Sequence, residues 1–204
     1  CGASAHAVAV AMQQRLLVAA AALLAEPAAA LRAVRGRIEL AGRPGSGLSF
    51  AEIAHRTRME RAEDIVVTNT YTGRSNPGSY SVQFAEVEVD VLTGLVRVTD
   101  FLAVVDIGRA INRGMVEGQV RGGVQAGIGS ALCEEVALDG EGRVSPGGFK
   151  NYHIFNAADM PDVRVLLVEH EGDDGPFGAK SVGEMDTVST AAAVVNAGNR
   201  ALGI

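Results

Sequence analysis

A helix predicted from about Met115 to Glu135 carries Gly118, Gly122, Gly123, Gly127 and Gly129. Each glycine inside a helix costs up to about 1 kcal/mol relative to alanine, because its backbone gives up more freedom on folding. Such a helix persists only where close approach by something else compensates. Gly118 and Gly122, like Gly123 and Gly127, stand four residues apart, so each pair shares a helix face. Either another backbone packs against that face or a flat ligand lies on it. Gln119 and Gln125 stand among these glycines, and an amide in such surroundings can match the donors and acceptors of a heterocycle.

A second glycine-punctuated segment, Gly175-Pro176-Phe177-Gly178-Ala179-Lys180-Ser181-Val182-Gly183-Glu184, ends in a carboxylate just before an apolar run, Ala191 to Val195. The run reads as a helix, with Asp186, Thr187 and Ser189 as candidate caps. The glycines permit close approaches that a Cβ forbids, so a planar ligand can lie along the loop with Glu184 at its reactive end. The alternative is an ordinary connection whose glutamate is simply solvated.

The remaining elements follow from periodicity. Residues 5–25 are rich in Ala and Leu and stop at Pro27, which predicts a helix. A strand is expected from Arg35 to Leu40, then a loop through 42–47, and Ser49 with Glu52 forms a capping box for a helix to about His55. Ala85, Val87, Val89 and Val91 alternate with Glu86, Glu88 and Asp90, as in a half-buried strand. A turn at Thr93-Gly94 returns the chain through Val96 and Val98, pairing Arg97 with Glu86 or Glu88. The strand from Phe101 to Asp106 leads to Asn112, a cap for the glycine-rich helix.

At 204 residues the chain can bury a sizeable core, and one elaborated α+β domain over 1–204 is expected. Its 18 basic and 24 acidic residues give a net charge of −6 with no basic stripe, which argues against nucleic acid as a partner. Cys1 and Cys133 support neither a disulfide framework nor a cysteine-bound cluster, which fits a reducing compartment. Cys133 lies beside Glu134 and Glu135, a setting that raises a thiol pKa and makes it inert. His6, His55, His153 and His170 lack metal-ligand spacing. Phe149, Tyr152 and Phe155 either touch substrate or pack. The apolar run Leu16–Leu24 is short for a bilayer span, so no membrane association is expected. The first residue is Cys rather than Met, as expected of a processed or excised piece.

Five segments occur together in one order: Gln83-Phe84-Ala85-Glu86-Val87-Glu88-Val89-Asp90, Asp106-Ile107-Gly108-Arg109-Ala110-Ile111-Asn112, Val116-Glu117-Gly118-Gln119, Asp159-Met160-Pro161, and the loop from Gly175 through Glu184. In this the chain resembles the C-terminal part of the molybdenum-binding large subunit of the xanthine dehydrogenase and aldehyde oxidase family. The resemblance is firm from Tyr80 to Ala201. Departures stand at Met185-Asp186, where the family commonly has Pro after Gly-Glu, at Arg113 after Asn112, and at Ala5 and Ala7 near the N-terminus.

The resemblance implies a molybdopterin-binding domain, half of a larger cofactor cage, with Glu184 as general base. Gln119 would contact the pterin beside Gly118 and Gly122, Lys180, Ser181, Val182 and Gly183 would lie along the cofactor, and Ser4 would help hold its phosphate side. It implies oxidative hydroxylation of an electron-poor carbon, in an N-heterocycle such as a xanthine-like purine or in an aldehyde, with water as oxygen source. A general base needs desolvation balanced against nearby cations, so the Lys180 ammonium is expected to point elsewhere. The implied cofactor is molybdenum-molybdopterin in its cytosine dinucleotide form, with the metal held by the pterin rather than by protein ligands. The implied partners are the rest of the molybdenum-binding subunit, an iron-sulfur subunit and an FAD subunit, in the cytoplasm. A noncatalytic cofactor-binding or assembly module is the alternative. A nucleotide-binding enzyme is disfavoured, since neither Gly-x-Gly-x-x-Gly after a strand nor Gly-Lys-Ser/Thr is present.

Overall fold

The computed structural model describes residues 2–73, 78–144, 148–170 and 175–204. Cys1 lies outside them. The chain forms two compact units, Cys1–Arg74 and Ser75–Ile204.

The first unit contains α1 (Gly2–Leu24), the strands β1 (Leu31–Val34), β2 (Arg37–Leu40) and β3 (Leu48–Ser49), and α2 (Phe50–Arg61). The strands make an antiparallel sheet in the order β1-β2-β3. Leu16 and Ala20 of α1 bury against Leu31, Ile38 and Ile53. The Ser49–Glu52 capping box forms in both directions, and α2 runs past His55 to Arg61, where Arg56 and Glu60 pair at 2.7 Å one turn apart. The helix predicted from residue 5 begins at Gly2. That extension makes α1 long and apolar enough, by length and composition alone, to cross a membrane, which the run Leu16–Leu24 was not.

The second unit contains β4 (Tyr80–Val89), β5 (Val96–Asp106), α3 (Arg113–Leu132), β6 (Asp162–Val168) and α4 (Met185–Leu202). β4 and β5 are antiparallel, while β6 joins the far side of β5 in parallel. The helices cover one face of this mixed sheet, where Phe101, Ala103 and Val105 of β5 meet Val120, Val124 and Ile128 of α3 and Val194 of α4. This is the α+β arrangement expected from the sequence.

The hairpin forms with Glu88 opposite Arg97, their side chains 2.6 Å apart. Its loop starts earlier than expected. Asp90 accepts from the Leu92 amide and the Thr93 hydroxyl, so Val91 leaves the alternation and is 77% exposed. Asn112 caps α3 as predicted, accepting from Met115 N at 3.1 Å. The caps expected for α4 do not form. Glu184 is its N-cap residue, with helical backbone angles and no side-chain cap bond, and Asp186 is buried instead.

Candidate active site

The helical glycines divide into two groups. A Cβ on Gly123 would lie 2.9 Å from Asp186 Cβ, and one on Gly127 would collide with Thr190. Both contacts keep the same offset in sequence, so α3 and α4 run in the same direction where they touch. This pair is helix packing. Gly129 is likewise occupied, by the Glu134 carboxylate and by Phe155 Cβ at 3.3 Å. Around Gly118 and Gly122 a Cβ would meet nothing within 4 Å. That pair faces open space.

The shared direction of α3 and α4 places the turn bearing Gly118, Gln119 and Gly122 level with the loop that enters α4. Val182 and Met185 of that entry pack on the same core as Val116 and Val120 of α3. Gln119 is exposed, and its amide makes no hydrogen bond among the described residues. Gln125 is not available in the same way, because its Nε2 donates to the Phe155 carbonyl at 2.6 Å. A hollow of about 330 Å³ beside Gly122 is lined by Arg121, Gln125, Met160, Pro161 and Val163.

The loop from Gly175 to Glu184 is held by backbone bonds to the end of β5. Lys180 N donates to Ile107 O at 2.9 Å and Arg109 N to Gly178 O at 3.0 Å. Gly108 adopts φ +64°, and a Cβ there would strike the Gly178 carbonyl, which only glycine avoids. Ser79 Oγ donates to Ser181 O at 2.8 Å. The Lys180 ammonium is 2.7 Å from an Asp106 carboxylate oxygen, so its charge is taken up there. Lys180 can offer a ligand its backbone carbonyl, not a free cation, since its amide is held by Ile107 and its side chain is 8% exposed. Its hydrogen bond, outweighing the opposing effect of burial, holds the Asp106 carboxyl below the usual range.

Ser181 and Glu184 are exposed, and Val182 and Gly183 are half-buried. Ser4 belongs to the first unit, in the first turn of α1. Sequence reading missed Ser81 and Gln83 on β4. Gln83 Nε2 donates to Asp186 O at 2.8 Å, and its Oε1 accepts from Thr190 Oγ1 at 2.5 Å. The available signal was a polar pair at the inward positions of an otherwise apolar strand face.

A larger cavity, about 500 Å³, lies elsewhere, lined by Cys133, Val136, Phe149, Tyr152 and His153. It shares no lining residue with the 118–122 turn or the 180–184 loop. Burial, followed by Glu134 and Asp159, pushes the Cys133 thiol up, and Tyr152 donates to Glu134 at 2.5 Å. Phe155 packs on the core. Among the described residues, no group of three or more His, Cys, Asp or Glu side chains is arranged to hold a metal ion.

An open glycine strip, an unpaired amide and a carboxylate at the mouth of a pinned loop suit a flat, hydrogen-bonding group. Comparison with known proteins gives that class. The molybdopterin cofactor-binding domain family matches residues 1–161. A probable hypoxanthine oxidase of Escherichia coli is 31% identical over 195 residues, covering 95% of this chain and 20% of that protein. A putative xanthine dehydrogenase molybdenum-binding subunit of the same organism is 30% identical over 197 residues, covering 95% of this chain and 26% of that one. Among solved structures, quinoline 2-oxidoreductase from Pseudomonas putida matches with a TM-score of 0.69 and 34% identity, over 96% of this chain and 26% of that chain. The chain belongs to the molybdopterin cofactor-binding domains of the xanthine dehydrogenase family of molybdenum hydroxylases. It spans about a fifth to a quarter of the length of these relatives.

Proposed function

We propose that this chain is one half of the cofactor-binding unit of a molybdenum hydroxylase and that Glu184 is the general base of oxidative hydroxylation. The observation that carries this reading is the shared level of the open Gly118–Gly122 turn, with its unpaired Gln119, and the loop that presents Glu184 at the start of α4. The substrate class is an electron-poor carbon of an N-heterocycle, in line with the hypoxanthine and quinoline named for two relatives. An aldehyde is the other candidate, since an aldehyde oxidoreductase of Megalodesulfovibrio gigas is 37% identical over 126 residues.

The residues present fit the cofactor. Gly118 and Gly122 leave a cradle that a side chain would fill, Gln119 offers two donors and an acceptor to pterin edges, and the backbone of Lys180 to Gly183 would line the reactive side. Ser4 would contribute at the phosphate end, in the cytosine dinucleotide form. When bound, molybdenum-molybdopterin supplies the two-electron oxidant at the reacting carbon. The protein's part is proton management: Glu184 Oε accepts the proton of the water-derived nucleophile as the bond to carbon forms. The Asp106 carboxylate keeps the Lys180 ammonium engaged, and the backbone bonds of the loop fix where Glu184 projects. Glu184 is exposed in this chain, so exclusion of water falls to the companion half.

The companion would be the rest of the molybdenum-binding subunit, with iron-sulfur and FAD subunits carrying electrons onward in the cytoplasm. The decisive experiment is Glu184→Gln in the assembled enzyme at matched molybdenum content. Loss of about 10²- to 10⁴-fold in the rate of reduction by substrate is expected for removal of a general base. Near-wild-type reduction would instead favour a noncatalytic module.

A further inference from the structure

Asp186, two residues beyond Glu184, is 0% exposed, and its Oδ2 has no hydrogen-bond partner among the described residues. Its Oδ1 lies 3.4 Å from Ser81 Oγ, at the outer limit of a hydrogen bond. The backbone carbonyl of the same residue accepts from Gln83 Nε2 at 2.8 Å, and the Thr190 hydroxyl, whose one proton is shared with Gln83 Oε1, lies 2.5 Å from it. Gly123 of α3 abuts its Cβ and leaves no room for a larger neighbour. Among the described residues, Ser81 of β4 meets its carboxyl, Gln83 of β4 and Thr190 of its own helix meet its backbone carbonyl, and Gly123 of α3 meets its Cβ, all uncharged. Glu184 stands exposed at the start of that helix, Lys180 is engaged by Asp106, and Arg121 by Glu117.

A buried carboxylate with no cation beside it among the described residues favours its protonated form. Burial pushes the Asp186 carboxyl up, against a smaller lowering effect of Ser81. A protonated Asp186 can donate to Ser81 Oγ, which a carboxylate cannot.

We propose that Asp186 is a positioning residue for Glu184: a neutral carboxylic acid beneath the first turn of α4 that, with Ser81 and Gln83, fixes where the base projects. This rests on Glu184 being the base. Ionisation of Asp186 as pH rises places an unpaired anion under the turn, which loosens the turn that carries Glu184. The reaction rate then falls as that ionisation proceeds because the base is misplaced, while the cofactor stays bound.

The test uses the assembled holoenzyme and Asp186→Asn, whose amide matches the neutral acid in size and can still donate to Ser81. The rate of reduction by substrate is followed against pH at matched molybdenum content, and the infrared band of a protonated carboxyl is recorded in both proteins. The expected result is a rate within about threefold of wild type at neutral pH, loss of the decline with rising pH, and a protonated-carboxyl band at neutral pH in wild type that the variant lacks. A decline with rising pH unchanged in the variant, or no such band in wild type, overturns the proposal. If Asp186→Asn does not assemble, the wild-type band and its disappearance on raising the pH decide alone. Failure of the base reading is separate, because it shows as turnover by Glu184→Gln and leaves the infrared band untouched.

Discussion

The Lys180 ammonium lies 2.7 Å from the Asp106 carboxylate where the loop that carries the candidate base meets the end of β5. Only 8% of the lysine side chain and 18% of the aspartate's are exposed. Around the pair run the backbone bonds of Lys180 to Ile107 and of Arg109 to Gly178. The loop and the strand end are thus one unit, and the ion pair ties their side chains together.

Asp106→Asn would leave the ammonium enclosed without a counter-charge, and breaking such a pair from one side costs about 3–5 kcal/mol. The sign with pH follows from the lowered Asp106 carboxyl. Its contribution is present above the ordinary aspartate range and is lost as pH falls through the lower folded value. Thermal unfolding followed from neutral pH downward should show the variant less stable at neutral pH and without this part of the acid decline. Equal melting temperatures at neutral pH would mean the lysine swings free.

The two glycine pairs of α3 predict opposite outcomes for one kind of change. Gly127→Ala puts a methyl into Thr190, and overpacking of about 1–3 kcal/mol outweighs the helix gain of up to about 1 kcal/mol. Gly118→Ala meets nothing and keeps the gain, so the melting temperature should hold or rise. In the assembled enzyme, however, Gly118→Ala should lower molybdenum and pterin content. If it leaves that content unchanged, the open strip is not a cofactor surface.

That split marks what sequence could and could not deliver. Spacing showed that Gly118 with Gly122 and Gly123 with Gly127 share faces, but both pairs have the same spacing, and only the α4 partner residues tell packing from an open strip. Local chemistry was legible where it is local: the Ser49–Glu52 box, the Asn112 cap and the Arg97–Glu88 pair all form. Elements whose partners are distant were not. β6 pairs in parallel with β5 about 60 residues earlier, and Asp186, read as a candidate cap, is buried where Gln83 of β4, 103 residues away, holds its backbone carbonyl. The motif order gave the family, and Gln83 belonged to the first motif without its role being visible.

This polypeptide expressed by itself should purify with far less than one molybdenum and one pterin per chain. The Gly118–Gly122 strip and the Glu184 loop are open to solvent, and ligands of this size are normally held with most of their surface buried. Metal analysis and pterin fluorescence of the purified chain check this. Stoichiometric cofactor would show that no companion half is required.

Gln119 offers the sharpest separation of binding from folding. Its side chain is exposed and forms no bond among the described residues, so its removal costs the fold little; Gln119→Ala should even gain a few tenths of a kcal/mol in helix propensity. If the amide meets the pterin, each lost hydrogen bond costs about 1 kcal/mol, with more where the ligand's partner group stays buried and unpaired. Two such bonds correspond to roughly a tenfold to hundredfold weaker hold on the cofactor. The expected outcome in the assembled enzyme is an unchanged melting temperature of the cofactor-free form, with faster cofactor loss on dilution or mild chelation. Gln125→Ala supplies the contrast, because that amide holds the Phe155 carbonyl and its loss should lower the melting temperature. If the two variants behave alike in both measurements, Gln119 has no special relation to the cofactor.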